Sequence, residues 1–196
     1  MVANTTVYFI RHCMSDISVN DPMQRPLTES GWIDRIFVSR FLGDKHISAV
    51  YSSPYKRAID TVSDFADKAK LKIQTVDDFR ERKSDSDWDK KNDLIDFIQR
   101  QWANFDYTLS DGETLRTVQN RNIRALSEIL EKHAGQNIAI GTHGTALAVI
   151  INYYDKSYGY EDFIKMLPVC PFAVKMVFNG KRCIDIAQID IMKTVI

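Results

Sequence analysis

Residues 7–12 of the chain read Val-Tyr-Phe-Ile-Arg-His, four apolar residues followed directly by an arginine and a histidine. A short apolar run rich in β-branched and aromatic residues is typical of a buried strand in a parallel sheet. Open α/β sheets carry their functional groups at the carboxyl ends of such strands. Arg11 and His12 are therefore predicted to stand at the functional edge of a sheet.

A second apolar run ends in the same way far downstream. Residues 137–144 read Asn-Ile-Ala-Ile-Gly-Thr-His-Gly, which predicts a strand over Ile138–Gly141 with His143 and Gly144 just beyond it. Two of the chain's four histidines thus follow predicted strands. Because parallel strands end at the same edge of a sheet, His12 and His143 are expected to converge.

Strand and helix patterns alternate along the rest of the chain. Further strands are predicted over Ile47–Tyr51, Leu71–Val76, Phe172–Phe178 and Arg182–Ile189, the last two joined as a hairpin at Asn179-Gly180. Helices are predicted after Thr28 and Pro54, over Leu115–Lys132 and over Thr145–Tyr154. This order predicts an α/β fold, a three-layer α/β/α sandwich with a mainly parallel central sheet.

The first predicted helix carries Ile33, Ile36, Phe37 and Phe41 at helical spacing. These residues are expected to form the face of the helix that packs on the sheet.

Length and pattern favour one domain spanning residues 1–196, because the chain has no repeat and no obvious linker. Residues 77–112 break the alternation. They are highly charged, contain Trp88 and Trp102, and hold one amphipathic segment around residues 94–98. We expect this stretch to form a cap over the functional edge of the sheet, with both tryptophans packing the cap.

Composition limits the classes of partner. The 26 basic and 26 acidic residues balance, which argues against nucleic acid and against an anionic membrane surface. No apolar run has spanning length and the N-terminus lacks the order of a signal peptide, so a cytoplasmic protein is expected. The three cysteines have no paired spacing and are expected to be reduced thiols, not disulfides or zinc ligands. We expect a small-molecule substrate, and either a monomer or a homodimer.

Two arginines and two histidines are expected in the resulting pocket: Arg11, His12, Arg57 and His143. Guanidinium groups suit bidentate binding of phosphate, and the first helix turn after Pro54 adds a positive dipole end. A neutral histidine can attack phosphorus, and a second one can donate a hydrogen bond to the phosphoryl oxygens.

A carboxylic acid is still needed to protonate a leaving alkoxide. Glu81 is the best-placed candidate because it lies just past the third predicted strand. Asp111 and Glu113 are the alternatives.

The ordered motifs resemble those of the histidine phosphatase superfamily, the phosphoglycerate mutase-like proteins. The family's Arg-His-Gly-x-Thr corresponds to Arg11–Ser15 here, and its Ser-Ser-Pro-x-x-Arg-Ala-x-x-Thr is complete at Ser52–Thr61. The remaining matches, in order, are Leu27–Gly31, Phe79–Glu81, Gly112–Thr114 with Arg121, and His143-Gly144. Six motifs in the correct order make the resemblance specific.

The resemblance implies a metal-independent phosphomonoesterase without an organic cofactor. His12 would form a phosphohistidine, Glu81 would be the proton donor, and the phosphoryl group would be held by Arg11, Ser15, Arg57, His143 and Gly144. The substrate would be a small phosphorylated metabolite or a phosphoprotein. Phosphoryl transfer of the phosphoglycerate mutase type is the alternative within the family.

Cys13 departs from the family, because it replaces the motif glycine beside the nucleophile. If the backbone there required a positive φ, a β-carbon would strain it. Its thiol has two interpretations: an inert buried group, or a group whose pKa is lowered by the two neighbouring arginines. The departure keeps open a third hypothesis, a catalytically impaired protein that binds a phosphorylated ligand.

Overall fold

A computed structural model describes residues 3–85 and 94–194. Its strands are β1 (Thr5–Arg11), β2 (Ile47–Ser52), β3 (Ile73–Thr75), β4 (Asn137–Thr142), β5 (Phe172–Asn179) and β6 (Arg182–Ile189). They form one sheet in the order β3-β2-β4-β1-β5-β6. Strands β1 to β4 are parallel, and the hairpin β5–β6 adds an antiparallel edge. The predicted α/β class with a mainly parallel sheet is confirmed.

Helices cover both faces of this sheet. They are α1 (Glu29–Gly43), α2 (Lys56–Lys68), α3 (Leu94–Ala103), α4 (Leu115–Lys132), α5 (Gly144–Tyr154), α6 (Tyr160–Met166) and α7 (Ile191–Thr194). One apolar layer joins the sheet to α1, α2 and α7, and the other joins it to α4, α5 and α6. The sequence patterns predict neither α6 nor α7, which are short.

Strand register brings the predicted site together. Strand β4 lies between β2 and β1, with Gly141 opposite Ser52 and Thr142 opposite Arg11. Strands β1, β2 and β4 therefore end side by side at the same edge of the sheet. This puts the residues that follow them, His12, Ser53 and His143, next to one another.

The expected buried face of α1 is confirmed for Phe41, which is buried, and for Phe37, which packs against the core, but it is wrong for the two isoleucines. Ile33 is 61% exposed and Ile36 is 39% exposed, whereas Val38, Phe41 and Leu42 are buried. The cause lies at the start of the helix, where Gly31 packs so closely on the Met14 carbonyl that a β-carbon would overlap it. This contact turns the glycine side of α1 inward and leaves the isoleucines outside.

The third strand is shorter than its predicted range, Leu71–Val76. Only Ile73–Thr75 is strand, because β3 is an edge strand that pairs with β2 alone. The Leu71 amide donates instead to the carbonyl of Ala66 at the end of α2.

The segment expected to form a cap contains a 3₁₀ turn (Asp77–Phe79) and α3. Helix α3 buries Phe97 and Ile98. Trp102 packs as expected, with its ring against the rings of Phe105, Tyr158 and Phe163. Residues 86–93, including Trp88, lie outside the described residues, and the cap stays a prediction. Within residues 3–85 and 94–194, no helix is both long and apolar enough to cross a membrane.

Candidate active site

His12 lies just past β1 with both ring nitrogens engaged. Its Nδ1 is 2.7 Å from the carbonyl oxygen of Cys13, and its Nε2 is 3.1 Å from Nε of Arg57. A carbonyl only accepts and this guanidinium nitrogen only donates, so the proton of the neutral ring sits on Nδ1. The lone pair of Nε2 is therefore the nucleophilic one.

Burial and the neighbouring cations keep this ring neutral. Burial, followed by the charge of Arg57, lowers the pKa of His12 to about 3 from its ordinary 6.5. The imidazole consequently holds a free electron pair throughout the mildly acidic range, as a nucleophile requires.

His143 is fully buried beside His12, with 5.3 Å between the ring centroids. Its Nε2 is 2.7 Å from the hydroxyl of Ser53, which already accepts a hydrogen bond from the Tyr55 amide. If the hydroxyl donates to Nε2, the ring proton lies on Nδ1. Nδ1 is enclosed and has no partner among the described residues. An oxygen atom of a ligand would satisfy this donor.

The pKa of His143 is lowered well below its ordinary value. Burial is the largest cause, and the charges of Arg57 and of His12 act in the same direction. His143 is thus a neutral hydrogen-bonding group at neutral pH.

Arg11 is anchored by one edge of its guanidinium. Nη1 donates to the carbonyls of Met166, Leu167 and Val169 at 2.8, 2.9 and 3.0 Å, at the C-terminal end of α6. Nε is enclosed without a partner in the described chain. A β-carbon on Gly144 would lie 3.5 Å from this Nε, so the glycine leaves space in front of it. The free edge suits a phosphate oxygen.

Arg57 comes from the first turn of α2 and is also buried. Besides its bond to His12, it donates through Nη1 to the carbonyl of Pro22 at 2.6 Å. The ring of Tyr55 lies 5.0 Å from the guanidinium and 5.2 Å from the ring of His143. The two arginines and two histidines predicted from the sequence therefore meet at one place.

Glu81 reaches the same region from the opposite wall. Its carboxylate accepts from the amides of Thr145 and Ala146 at 3.0 and 3.2 Å, and from that of Arg82 at 2.7 Å. It thus lies at the N-terminus of α5, whose N-cap residue is His143. Anions are stabilised there by the helix dipole.

Glu113 has a different setting. It forms a bidentate ion pair with the buried Arg121, at 2.9 Å for both contacts. Burial raises the pKa of Glu113, but the hydrogen bonds from Arg121 and from the Lys83 amide outweigh burial and hold it below its usual range. Arg121 also donates to the carbonyls of Asp78, Arg80 and Glu81. The pair holds the segment that carries Glu81.

The other reserve acid, Asp111, is half-exposed and pairs with Lys83 at 2.8 Å. Of the three carboxyl groups considered from the sequence, Glu81 lines the pocket that leads to Arg57, and Asp111 and Glu113 do not.

Cys13 is an unstrained residue with an inert, buried thiol, which confirms one of the two interpretations drawn from the sequence. The non-glycine residues with positive φ in the described ranges are His46 and Lys70, so Cys13 is unstrained. Its side chain is fully buried among apolar residues that include Ile10 and Leu27. Burial raises the pKa of its thiol to about 12. The alternative of a lowered pKa is wrong, because the side chain points into the core and not toward the arginines.

Ser15 is three residues beyond His12 and forms an isolated antiparallel bridge with Leu27. The described residues give no hydrogen bond of its hydroxyl to the histidines or arginines, so its contact with phosphate stays a prediction.

An open pocket of about 800 Å³ leads to the site. It is lined by Ile17, Asn20, Pro22, Arg25, Tyr55, Arg57, Glu81, Arg82, Lys83 and Ser84. Cationic side chains outnumber the single carboxylate, so an anionic ligand is favoured.

Three supporting residues carry no role in the sequence analysis. Ser53 orients His143, and Thr61 accepts the amide hydrogen of Cys13 at 2.9 Å. Tyr55 packs on both His143 and Arg57. All three lie within the motif Ser52–Thr61; the fixed polar positions of the motif were the available signal for Ser53 and Thr61, whereas Tyr55 stands at a variable position and had none.

Comparison with known proteins agrees with this arrangement. The family model described as "Histidine phosphatase superfamily (branch 1)" matches residues 7–168. The chain belongs to this superfamily. Phosphoglycerate mutase-like protein 4 of Arabidopsis thaliana is 32% identical over 151 residues, which cover 73% of this chain. The match spans 64% of that relative's length, so this chain corresponds to a part of it.

Two solved structures show the same fold. YhfR of Bacillus stearothermophilus is 25% identical with a TM-score of 0.73, covering 92% of this chain and 94% of its own. A phosphoserine phosphatase from Entamoeba histolytica is 15% identical with a TM-score of 0.76, covering 97% of this chain and 99% of its own.

Proposed function

We propose that the protein is a metal-independent phosphomonoesterase that works through a phosphohistidine on Nε2 of His12. The observation that carries the proposal is the neutral His12, with its proton fixed on Nδ1 and its Nε2 beside Arg57. The substrate is a small phosphorylated metabolite or a phosphoprotein. A cytoplasmic location and a monomer or homodimer belong to the same proposal.

In the first step Nε2 attacks phosphorus, and the ester P–O bond breaks as the N–P bond forms. The charge on the phosphoryl oxygens is met by Arg57, by the free edge of Arg11 and by Nδ1–H of His143. Ser15 and the Gly144 end of α5 complete the predicted phosphate contacts.

The leaving alkoxide takes a proton from the carboxyl group of Glu81. In the second step the carboxylate of Glu81 accepts a proton from water, which attacks the phosphohistidine and releases phosphate. This cycle returns His12 and Glu81 to their starting states. The position of Glu81 on the pocket wall supports this role over Asp111 or Glu113.

Phosphoryl transfer of the mutase type is the alternative, favoured by the likeness to a phosphoglycerate mutase-like protein. It differs in the acceptor, since a second substrate hydroxyl takes the place of water. The ligand-binding hypothesis has lost its main support, because Cys13 is unstrained and turned into the core.

The test measures phosphate release from para-nitrophenyl phosphate and a panel of alkyl phosphomonoesters. Wild type is compared with His12→Ala and with His46→Asn, which changes an exposed histidine outside the site. We expect turnover at mildly acidic pH that resists EDTA, is blocked by vanadate and disappears only in His12→Ala. Radiolabelled substrate should leave acid-labile label on wild type.

Other outcomes would contradict the proposal. Strict dependence of turnover on an added divalent metal would contradict the metal-independent mechanism. Isomerisation of phosphoglycerate faster than hydrolysis would favour the mutase. Tight binding of phosphoesters without turnover would favour the ligand-binding protein.

A further inference from the structure

Glu81, the proposed proton donor, lies in a segment of irregular backbone. Residues 81–85 follow the 3₁₀ turn and belong to no helix or strand. A side chain on such a segment is placed less precisely than one on a helix or strand, unless further contacts hold the backbone. Proton transfer depends on this placement, because the donor and the acceptor have to come within hydrogen-bond distance of each other. The backbone around Glu81 therefore has to be held by other parts of the chain.

Arg121 of α4 holds this backbone through its carbonyl groups. Nη1 donates to the carbonyls of Asp78 and Arg80 at 2.6 and 2.8 Å, and Nη2 donates to the carbonyl of Glu81 itself at 3.3 Å. The Arg121 side chain is 6% exposed. The donors of a guanidinium group point in fixed directions, so these bonds determine how the chain approaches Glu81.

Glu113 holds the segment on the other side of Glu81. Its Oε2 accepts from the amide of Lys83 at 2.9 Å, and its own amide donates to the carbonyl of Lys83 at 3.0 Å. Its Oε1 accepts from the side chain of Arg80 at 3.1 Å. Because Glu113 is also bound to Arg121 in a bidentate ion pair, the two side chains act as one unit that binds the chain before and after Glu81.

The side chain of Glu81 leads from this held segment to the reacting groups. Its carboxylate accepts from the amides of Thr145 and Ala146 at the N-terminus of α5, which His143 caps. A shift of the segment would stretch these bonds and withdraw the carboxyl group from the pocket. The position of the carboxyl group thus depends on the contacts of Arg121 and Glu113.

We propose that the ion pair of Glu113 and Arg121 positions Glu81 for proton donation, so that it controls the reactivity toward esters with poor leaving groups as well as the stability of the fold. The inference rests on the proposed function, because it takes Glu81 as the proton donor. Glu113 and Arg121 are positioning residues, since they act through Glu81. A misplacement of about 1 Å can cost a reaction about a hundredfold in rate, so loss of the pair should be visible in the kinetics.

The experiment uses Glu113→Gln, which keeps the size of the side chain and removes its charge. It measures kcat/KM for para-nitrophenyl phosphate and for the alkyl phosphomonoester that wild type hydrolyses fastest. This ratio contains the transfer of the phosphoryl group to His12 and not the hydrolysis of the phosphohistidine. Glu128→Gln, on the exposed side of α4, is the matched control for the substitution, and Ile129→Val, which removes a buried methylene from the same helix, is the control for lost stability.

We expect Glu113→Gln to lower kcat/KM at least about tenfold for the alkyl ester and less than about threefold for para-nitrophenyl phosphate. Neither control should change the ratio of the two values. In Glu81→Gln protein, which has already lost the donor, adding Glu113→Gln should change kcat/KM for the alkyl ester less than about threefold. A purely structural role would instead lower the activity toward both esters alike.

The same comparison separates positioning from electrostatics. The charge of Arg121 adds to burial in lowering the pKa of His143. A change in that effect would act on both esters alike, because His143 is expected to contact the phosphoryl group that they share. Only an effect through Glu81 depends on the leaving group.

No loss or an equal loss for the two esters overturns the proposal, and so does an additive loss in the double variant. If Glu113→Gln does not fold, Arg121→Lys decides. It keeps a charge beside Glu113, but one ammonium group cannot bind three carbonyls and a carboxylate at once, so the same ester-dependent loss is expected and its absence would overturn the proposal.

The outcomes also distinguish this inference from the proposed function. Absence of turnover in folded wild type would reject the proposed function. Turnover by wild type, with a loss in Glu81→Gln that is confined to the alkyl ester and with no such loss in Glu113→Gln, would reject the positioning role alone.

Discussion

The Nε–H group of Arg57 donates to Nε2 of His12 across 3.1 Å. The side chain expected to hold the phosphoryl group thus covers the atom expected to attack it. An incoming phosphoryl group has to take this donor for its own oxygens, which uncovers the lone pair of Nε2 as the substrate arrives. In the proposed mechanism, Arg57 therefore shields Nε2 of His12 in the absence of a ligand and polarises the phosphoryl group when a substrate is bound.

Replacing this arginine should change both the titration and the activity of the site. In Arg57→Met the pKa of His12 should rise from about 3, because the charge of Arg57 is the second cause of its depression after burial. We expect kcat/KM to fall about a hundredfold or more, as for loss of one donor to a transition-state oxyanion. Titration of the His12 ring protons by NMR checks the first effect, with Arg40→Met as the control. A pKa that stays near 3 would contradict this account.

Acid should destabilise the fold before carboxylates titrate. The pKa of His12 is about 3 in the folded chain and near 6.5 in the unfolded chain, and that of His143 is also lowered. The unfolded state therefore binds protons that the native state does not, and stability falls as pH decreases below about 6.5. Urea unfolding between neutral pH and about pH 5 measures the slope. A flat or rising stability in that window would exclude neutral histidines in the native state.

Glu81→Gln should slow the hydrolysis of phosphate esters to an extent that depends on the leaving group. We expect kcat for an alkyl phosphate to fall about a hundredfold to ten-thousandfold, since the alkoxide needs a proton. Para-nitrophenolate leaves without being protonated, so kcat for para-nitrophenyl phosphate should fall much less. Asp111→Asn removes a half-exposed carboxylate outside the pocket and is the matched control. An equal fall in kcat for the two esters would show that Glu81 does not donate a proton to the leaving group.

Arg121→Met should destabilise the protein strongly. The substitution removes the bidentate partner of Glu113 and leaves this enclosed carboxylate only the 3.1 Å contact with the more exposed Arg80, so we expect a loss of about 3–5 kcal/mol. Arg124→Met, three residues along the same helix, breaks an exposed pair with Asp78 and should cost about 0–1 kcal/mol. Chemical denaturation of both variants gives the comparison. Similar small losses would mean that the pair of Glu113 and Arg121 is not buried in solution.

Cys13 should resist thiol reagents in the native protein. It is fully buried and burial raises its pKa to about 12, whereas Cys170 and Cys183 are partly exposed. Mass spectrometry after iodoacetamide treatment should find label on the latter two first, and on Cys13 only after unfolding. Rapid labelling of native Cys13 with loss of activity would instead place a reactive thiol in the site.

The sequence is sufficient to predict the sheet and the meeting of Arg11, His12, Arg57 and His143, because each follows a clear apolar run or a Pro-marked helix start. It does not give the orientation of α1, since the contact between Gly31 and the Met14 carbonyl is made across the fold. The direction of the Cys13 side chain is hidden for the same reason.

The burial of Arg82 in the pocket wall could not be predicted from the sequence either. Arg82 lies in a run of charges that is usually solvated, and its enclosure depends on Phe97 from a helix that follows in sequence. Residue type and spacing do not reveal which member of such a run is buried.

The amide of Cys13 is hydrogen-bonded to the hydroxyl of Thr61, which in turn donates to the carbonyl of Arg57. Strand β1 and helix α2 thus have to separate before this amide meets solvent. Its deuterium exchange should be among the slowest in the chain and should track global unfolding, not local opening. The backbone that carries the proposed nucleophile, His12, is therefore as persistent as the fold itself.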